Sequence, residues 1–239
     1  MHNRIEDAVM KVCDYIDSQR QDIKNWKDYS EDRLWFELVS CILGSRVRYE
    51  TARACAMHLW NTHLLGINYV LLEPEGMENK IRQELTRSIY PPFSNGVGSK
   101  YRYPSKSRYI IRTAIQIYEN DNATIKDILK SCLDDQEARD VLVEKCAGIG
   151  LKQASLFLRN ISFTDDLAIL DCHVIRYLAL LGLDGKLNSM SQDGMHSYFA
   201  HENTLKLYAI SKKRTLATLD IAIWTVMRLV RKEVVISQL

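Results

Sequence analysis

The chain is predicted to be all-α, with two helical subdomains, a helix-hairpin-helix motif and a cleft between the subdomains. Three observations predict it. Apolar residues recur at helical spacing through most of the 239 positions. Glycine (10 residues) and proline (4) are sparse, so few breakers interrupt that spacing. The periodicity stops sharply at Gly148-Ile149-Gly150 and resumes at Leu151, which reads as helix, tight turn, helix.

The elements follow in order. Ile5, Val9, Val12 and Ile16 form one stripe, and Leu34, Leu38 and Ile42 a second. Leu151, Ala154, Leu158 and Ile161 form a third, and Leu216, Leu219, Ile223, Val226 and Val230 a fourth. Residues 31–170 are expected to build a central subdomain carrying the hairpin at 146–152. Residues 1–30 and 171–239 are expected to combine into the second. Tyr90–Pro104 is rich in Pro, Gly, Ser and Asn and reads as a loop, either simply solvated or facing a substrate with its aromatic and basic residues. A second loop is expected near Leu183–Asn188.

Composition excludes several classes. With 26% charged and 46% apolar residues the chain is neither disordered nor fibrous. Its longest apolar runs, such as Leu178–Leu181, are too short to cross a bilayer, and Met1–Asp7 lacks the character of a signal peptide. A cytoplasmic, nucleoid-associated protein with no membrane partner is expected. Six cysteines without a C-x-x-C pair argue against a zinc ribbon and against disulfides, so no metal site is expected and the cysteines read as small core residues. The net charge of +2 leaves nucleic-acid binding to local basic faces.

The chemistry-bearing stretch is Cys146–Ser155, with Asp171-Cys172-His173 downstream. Two glycines let the backbone take positive φ and approach a partner closely, and the amides opening the next helix can meet an anion. Gly148 and Gly150 are thus candidates to grip a DNA phosphate, which proteins with such a turn often do through a bound monovalent cation, and no other cofactor is expected. Lys152 falls in the first turn of that helix, where the dipole disfavours a cation by roughly 0.3–1 kcal/mol. Such a position favours the neutral amine, the only nucleophilic form, although many lysines simply point into solvent. Asp171 has the look of an N-cap, a role compatible with a rigidly held catalytic carboxylate. His173 is a candidate phosphate donor or a packed histidine.

At these residues the chain resembles the helix-hairpin-helix DNA glycosylases, whose signature pairs G-[VI]-G-x-K with a downstream aspartate before x-H. Gly150–Asn160 and Ala168–His173 are similar to the archaeal-type (type 2) 8-oxoguanine DNA glycosylase/AP lyases. Tyr101–Ile110 resembles that group's R-F-x-N-K-A-x-Y-I stretch, and Leu219–Trp224 its L-D-L-x-x-W. The resemblance implies a bifunctional enzyme acting on double-stranded DNA containing a damaged base, with Lys152 as nucleophile and Asp171 as its carboxylate partner. It further implies Tyr103 and Trp224 as the faces of a base pocket, and Arg46, with Arg48 beside it, as the wedge filling the gap left by a flipped base. Arg102 and Lys106, together with Lys100, Arg108 and Lys212–Arg214, are the remaining phosphate candidates.

The pattern is departed from in two places. The chain runs on past Trp224 to Leu239 where type 2 enzymes end soon after the tryptophan, and Ser88–Tyr101 reads as an insertion. No cysteine follows Cys172, so the iron–sulfur cluster of the endonuclease III branch is not expected. A monomeric enzyme releasing 8-oxoguanine is the leading expectation. A glycosylase for another modified base, such as one in foreign DNA, and a non-catalytic DNA-binding module are the alternatives.

Overall fold

A computed structural model describes residues 2–19, 25–89, 98–183 and 194–236. The described residues are mostly helical, and they divide into two compact units, Lys24–Phe163 and Met1–Ile23 with Thr164–Leu239. The divisions fall at Lys24 and Phe163, whereas the sequence placed them at 31 and 170.

The unit Lys24–Phe163 is built on α2 (Glu31–Gly44). Ser30 caps it by accepting from the Arg33 amide, and Glu31 and Asp32 complement the positive end of its dipole. Leu34, Trp35, Leu38, Val39 and Ile42 are fully buried, so α2 is apolar around most of its girth, as a central helix must be. Burial of each such side chain contributes about 1.5–3 kcal/mol. It packs against α3 (Tyr49–Asn61), α7 (Ile125–Ser131) and α9 (Leu151–Asn160). Its polar intrusions are satisfied. Trp35 Nε1 donates to Leu65 O at 3.0 Å, and buried Glu37 pairs with Arg33 at 2.7 Å and Arg53 at 2.8 Å.

Between α3 and α7 lie α4 (Ile67–Leu72), α5 (Pro74–Thr86) and α6 (Ser107–Ala114), the last continuing into a π-helical turn at Ile115–Asn120. The periodicity gave no hint of a two-residue antiparallel ladder, β1 (Ser88–Ile89) with β2 (Ser99–Lys100), which joins the two ends of the expected insertion. Residues 90–97 of that loop lie outside the described residues. The carboxylate of Glu31 accepts from Tyr118 Oη and from the Ile125 amide, both at 2.7 Å, and so ties the start of α2 to the start of α7. Then comes α8 (Asp135–Lys145), capped by Asp134, which accepts from the Gln136 and Glu137 amides.

The second unit comprises α1 (His2–Ser18), α10 (Cys172–Leu180), α11 (Gly194–Ser211) and α12 (Leu216–Ile236). Its core gathers Val9 and Cys13 of α1, Val174 and Tyr177 of α10, and Leu219, Ile223 and Met227 of α12. Tyr177 and Tyr208 share a hydrogen bond of 2.8 Å, and Tyr208 Oη donates onward to Glu6 at 3.0 Å. The expected loop at 183–188 falls almost wholly outside the described residues. Four cysteines are buried and Cys132 is half-buried, but Cys172 is exposed, contrary to its reading as core. It occupies the first position of α10, on the solvent side of the cap.

Candidate active site

The hairpin between α8 and α9 owes its shape to one glycine. Gly148 adopts φ +77°, and a Cβ there would lie 2.5 Å from Tyr109 Cδ2 on α6. The Ala147 amide donates to Thr113 Oγ1 at 3.0 Å, and Ile149 is buried, so α6 backs the turn on its inner side. Gly150 behaves otherwise than the sequence suggested: at φ −114° and ψ 179° it is extended, not left-handed. A Cβ on Gly150 would meet no atom within 4 Å. The residue is exposed and forms the N-cap of α9 without a side-chain cap. The first amides of α9 therefore open beside a bare backbone, the geometry an anion requires.

Lys152 is the second residue of α9 and is half-buried. Its charge, with that of Arg159, acts on the buried thiol of Cys41 on α2, although burial dominates and pushes that thiol up to about 12. Gln153, which the sequence did not single out, is 5% exposed and leaves its Oε1 without a hydrogen-bond partner. Gly44 at the end of α2 lies beside it, and a Cβ there would stand at an ordinary contact distance of 3.6 Å from Gln153 Nε2. An apolar periodicity cannot reveal a buried amide on the core side of a helix.

Asp171, in the other unit, is the N-cap of α10. Its Oδ1 accepts from the His173 amide at 2.8 Å and the Val174 amide at 3.0 Å. The segment leading to it is pinned at both backbone groups of one residue: the Ala168 amide donates to Glu202 at 3.0 Å, and Tyr198 Oη donates to Ala168 O at 2.7 Å. Both partners sit on α11, which thus fixes where α10 begins. His173 is half-buried and its Nδ1 is buried without a partner.

The basic residues divide. Arg46, Arg48, Lys100, Arg102 and Arg108 are exposed. Arg46 holds φ 58°, a left-handed conformation that costs a non-glycine residue on the order of 1 kcal/mol. Lys106 departs from the expectation of a phosphate contact: it is 8% exposed and its Nζ donates to Leu43 O at 3.2 Å and Ser45 O at 2.6 Å. Burial first, and the charge of Arg46 second, push its amine down to about 8. Lys212 and Arg214 are likewise engaged within the chain, Lys212 with Glu6 at 2.6 Å and Arg214 with Asp14 and Asp17.

Of the two pocket aromatics, Tyr103 is half-buried, with Lys106 Nζ 5.4 Å from its ring centroid. Trp224 is half-buried too, so it is more open than its fully buried helical neighbours Leu219 and Ile223. The Arg228 guanidinium stands 4.8 Å from its ring centroid. Among the described residues no group of His, Cys, Asp or Glu side chains could hold a metal ion, and no helix is long and apolar enough to cross a membrane.

Fold and hairpin together define an all-α protein of the helix-hairpin-helix class. Within that class, the model of the 8-oxoguanine DNA glycosylase family matches residues 16–214, and the chain belongs to that family. It is 28% identical over 215 residues to the 8-oxoguanine DNA glycosylase/AP lyase of Methanocaldococcus jannaschii, covering 90% of this chain and 89% of that protein. To the enzyme of the same name from Sulfolobus acidocaldarius it is 31% identical over 197 residues, 82% of each chain. The crystal structure of the M. jannaschii 8-oxoguanine DNA glycosylase superposes with a TM-score of 0.64 at 28% identity, covering 93% of this chain and 91% of that one.

Proposed function

We propose that this protein is a bifunctional DNA glycosylase/AP lyase of base excision repair that releases 8-oxoguanine from duplex DNA. One observation carries the reading: a chain of the 8-oxoguanine DNA glycosylase family has a lysine in the first turn after its glycine hairpin and an aspartate capping a later helix. A DNA-binding module needs the hairpin but neither of these groups. The M. jannaschii relative has been crystallised with a 15-mer DNA containing 8-oxoguanine, which supports DNA bearing that lesion as the partner here.

In this reading the α9 amides beside Gly150 hold a backbone phosphate. A monovalent cation held by hairpin carbonyls would help neutralise it. The damaged nucleotide leaves the stack at a cost of a few kcal/mol, and Arg46 enters the gap. Tyr103 and Trp224 receive the base, since stacking on an aromatic contributes about 1–3 kcal/mol per base. The neutral amine of Lys152 attacks C1′, its nitrogen–carbon bond forming as the glycosidic bond breaks and the base departs with the bonding electrons. Asp171 stabilises the positive charge that develops at the sugar and on the attacking nitrogen. Ring opening gives a Schiff base, and loss of the proton at C2′ expels the 3′ phosphate by β-elimination. His173 and the exposed Arg48 and Arg102 supply further phosphate contacts. The protein acts as a monomer on chromosomal DNA in the cytoplasm.

Borohydride trapping on a panel of lesion-bearing duplexes tests this. A covalent adduct is expected with 8-oxoguanine duplex for wild type and none for Lys152→Gln. Equal adduct from both proteins sinks the mechanism. Adduct on another lesion, with none on 8-oxoguanine, redirects the substrate, and salt-dependent binding without base release reduces the protein to a DNA-binding module.

A further inference from the structure

After α2 the chain makes a type II turn, with Ser45 extended at φ −63°, ψ 124° and Arg46 left-handed at φ 58°, the position where glycine is the usual occupant. The peptide groups leading into it are held by side chains from one distant segment. Tyr101 Oη donates to Leu43 O at 2.7 Å, and Lys106 Nζ donates both to Leu43 O at 3.2 Å and to Ser45 O at 2.6 Å. The oxygen of Gly44 accepts from the Val47 amide at 3.3 Å. The bond to Ser45 O matters most. That oxygen lies in the rigid peptide plane joining Ser45 to Arg46, so fixing it restrains ψ of the first residue and φ of the second together.

We propose that Lys106 is a positioning residue, whose ammonium laid on the Leu43 and Ser45 carbonyls holds Arg46 in its left-handed conformation and so sets the direction in which its guanidinium meets DNA. The proposal rests on the reading of Arg46 as the wedge. A lysine serves here because it carries several donors on a long stem and can span two carbonyls at the negative end of a helix dipole. The rings of Tyr101 and Tyr103, with centroids 5.9 Å and 5.4 Å from Nζ, cover the cation. Lys106 thereby acts on the substrate through Arg46 rather than by touching it.

The test is a double-mutant cycle read on two substrates, base release from an 8-oxoguanine duplex and nicking at a preformed abasic site. Lys106→Met and Arg46→Ala are each expected to slow base release about tenfold or more, with the double variant no slower than the slower single one. Nicking by Lys106→Met at the abasic site, where no base has to be flipped, is expected to change less than about threefold. Losses that multiply in the double variant overturn the proposal, as does a fall of about one in the salt-dependence slope on replacing Lys106, the mark of a direct phosphate contact. Arg46→Ala as active as wild type removes the wedge reading and this inference with it. Arg46→Ala slow beside an unimpaired Lys106→Met removes the inference alone. If Lys106→Met fails to fold, Lys106→Gln is compared in the wild-type and Arg46→Gly backgrounds. A defect only beside Arg46 supports positioning, and an equal defect in both overturns it.

Discussion

Gly148 lies so close to Tyr109 that a methyl group on its Cα would stand 2.5 Å from the tyrosine ring, whereas Gly150, two residues on, faces open space. The two hairpin glycines therefore serve different masters. Gly148→Ala meets both a left-handed backbone and a clash, and is expected to destabilise the fold by about 1–3 kcal/mol. Gly150→Ala meets neither and should leave stability within about 1 kcal/mol of wild type while weakening duplex binding. Thermal unfolding and a binding titration at fixed salt check both. Equal loss of stability in the two variants would contradict the assignment.

Asp171 offers a way to separate capping from chemistry. Asparagine caps helices about as well as aspartate, so Asp171→Asn should keep the bonds to the His173 and Val174 amides and lose at most a few tenths of a kcal/mol. Its base-release rate should nevertheless fall about a hundredfold or more, as befits a lost charge facing a cationic transition state. Asp171→Ala should lose the rate and about 1 kcal/mol of stability besides. Single-turnover kinetics beside urea unfolding decide it, and an Asp171→Asn enzyme of wild-type rate would leave the aspartate a cap and nothing more.

Arg46→Gly should relieve the backbone at φ 58° and raise stability by up to about 1 kcal/mol while slowing release of paired 8-oxoguanine. Stability and activity move in opposite directions only if the strain serves the side chain. Melting temperature and single-turnover rate, measured on one preparation, show whether they do.

The buried amine of Lys106 predicts a pH dependence. Its folded value, about 8, lies below the ordinary lysine value of 10.5, so between these limits the unfolded chain holds a proton that the folded chain has released. Stability contributed at this site accordingly rises with pH across that window and is flat below it, by on the order of 1–3 kcal/mol in all. Unfolding of wild type against Lys106→Met at pH 7 and pH 9.5 measures it. A gap that does not move in favour of wild type at the higher pH would show that the amine stays charged throughout.

How much of this was legible in the sequence depended on distance along the chain. The four apolar stripes reach the cores because helical period is a local property, and Val9, Leu38, Leu158 and Ile223 are all fully buried. The cap at Asp171 and the hairpin were legible for the same reason. Lys106 was misread because lysine is almost never buried unless paired, and its partners lie 61 and 63 residues away. Lys212 and Arg214 likewise meet acids on α1, nearly two hundred positions or more away, which no local reading reveals. Gly150 misled in another way. A glycine left bare for a ligand and a glycine required by φ look identical in sequence, and only the backbone angle separates them.

The hydrogen bond between Tyr208 and Glu6 spans 202 positions of sequence, and α1 finds its main partner in α12. A chain emerging from the ribosome therefore makes α1 long before α12 and must keep its apolar stripe waiting until α12 has been synthesised. The unit Lys24–Phe163, contiguous in sequence, can close meanwhile, because the loops its contacts require are much shorter. Assembly thus has a direction: the unit bearing Lys152 can form before α12 is made, and the one bearing Asp171 only after it.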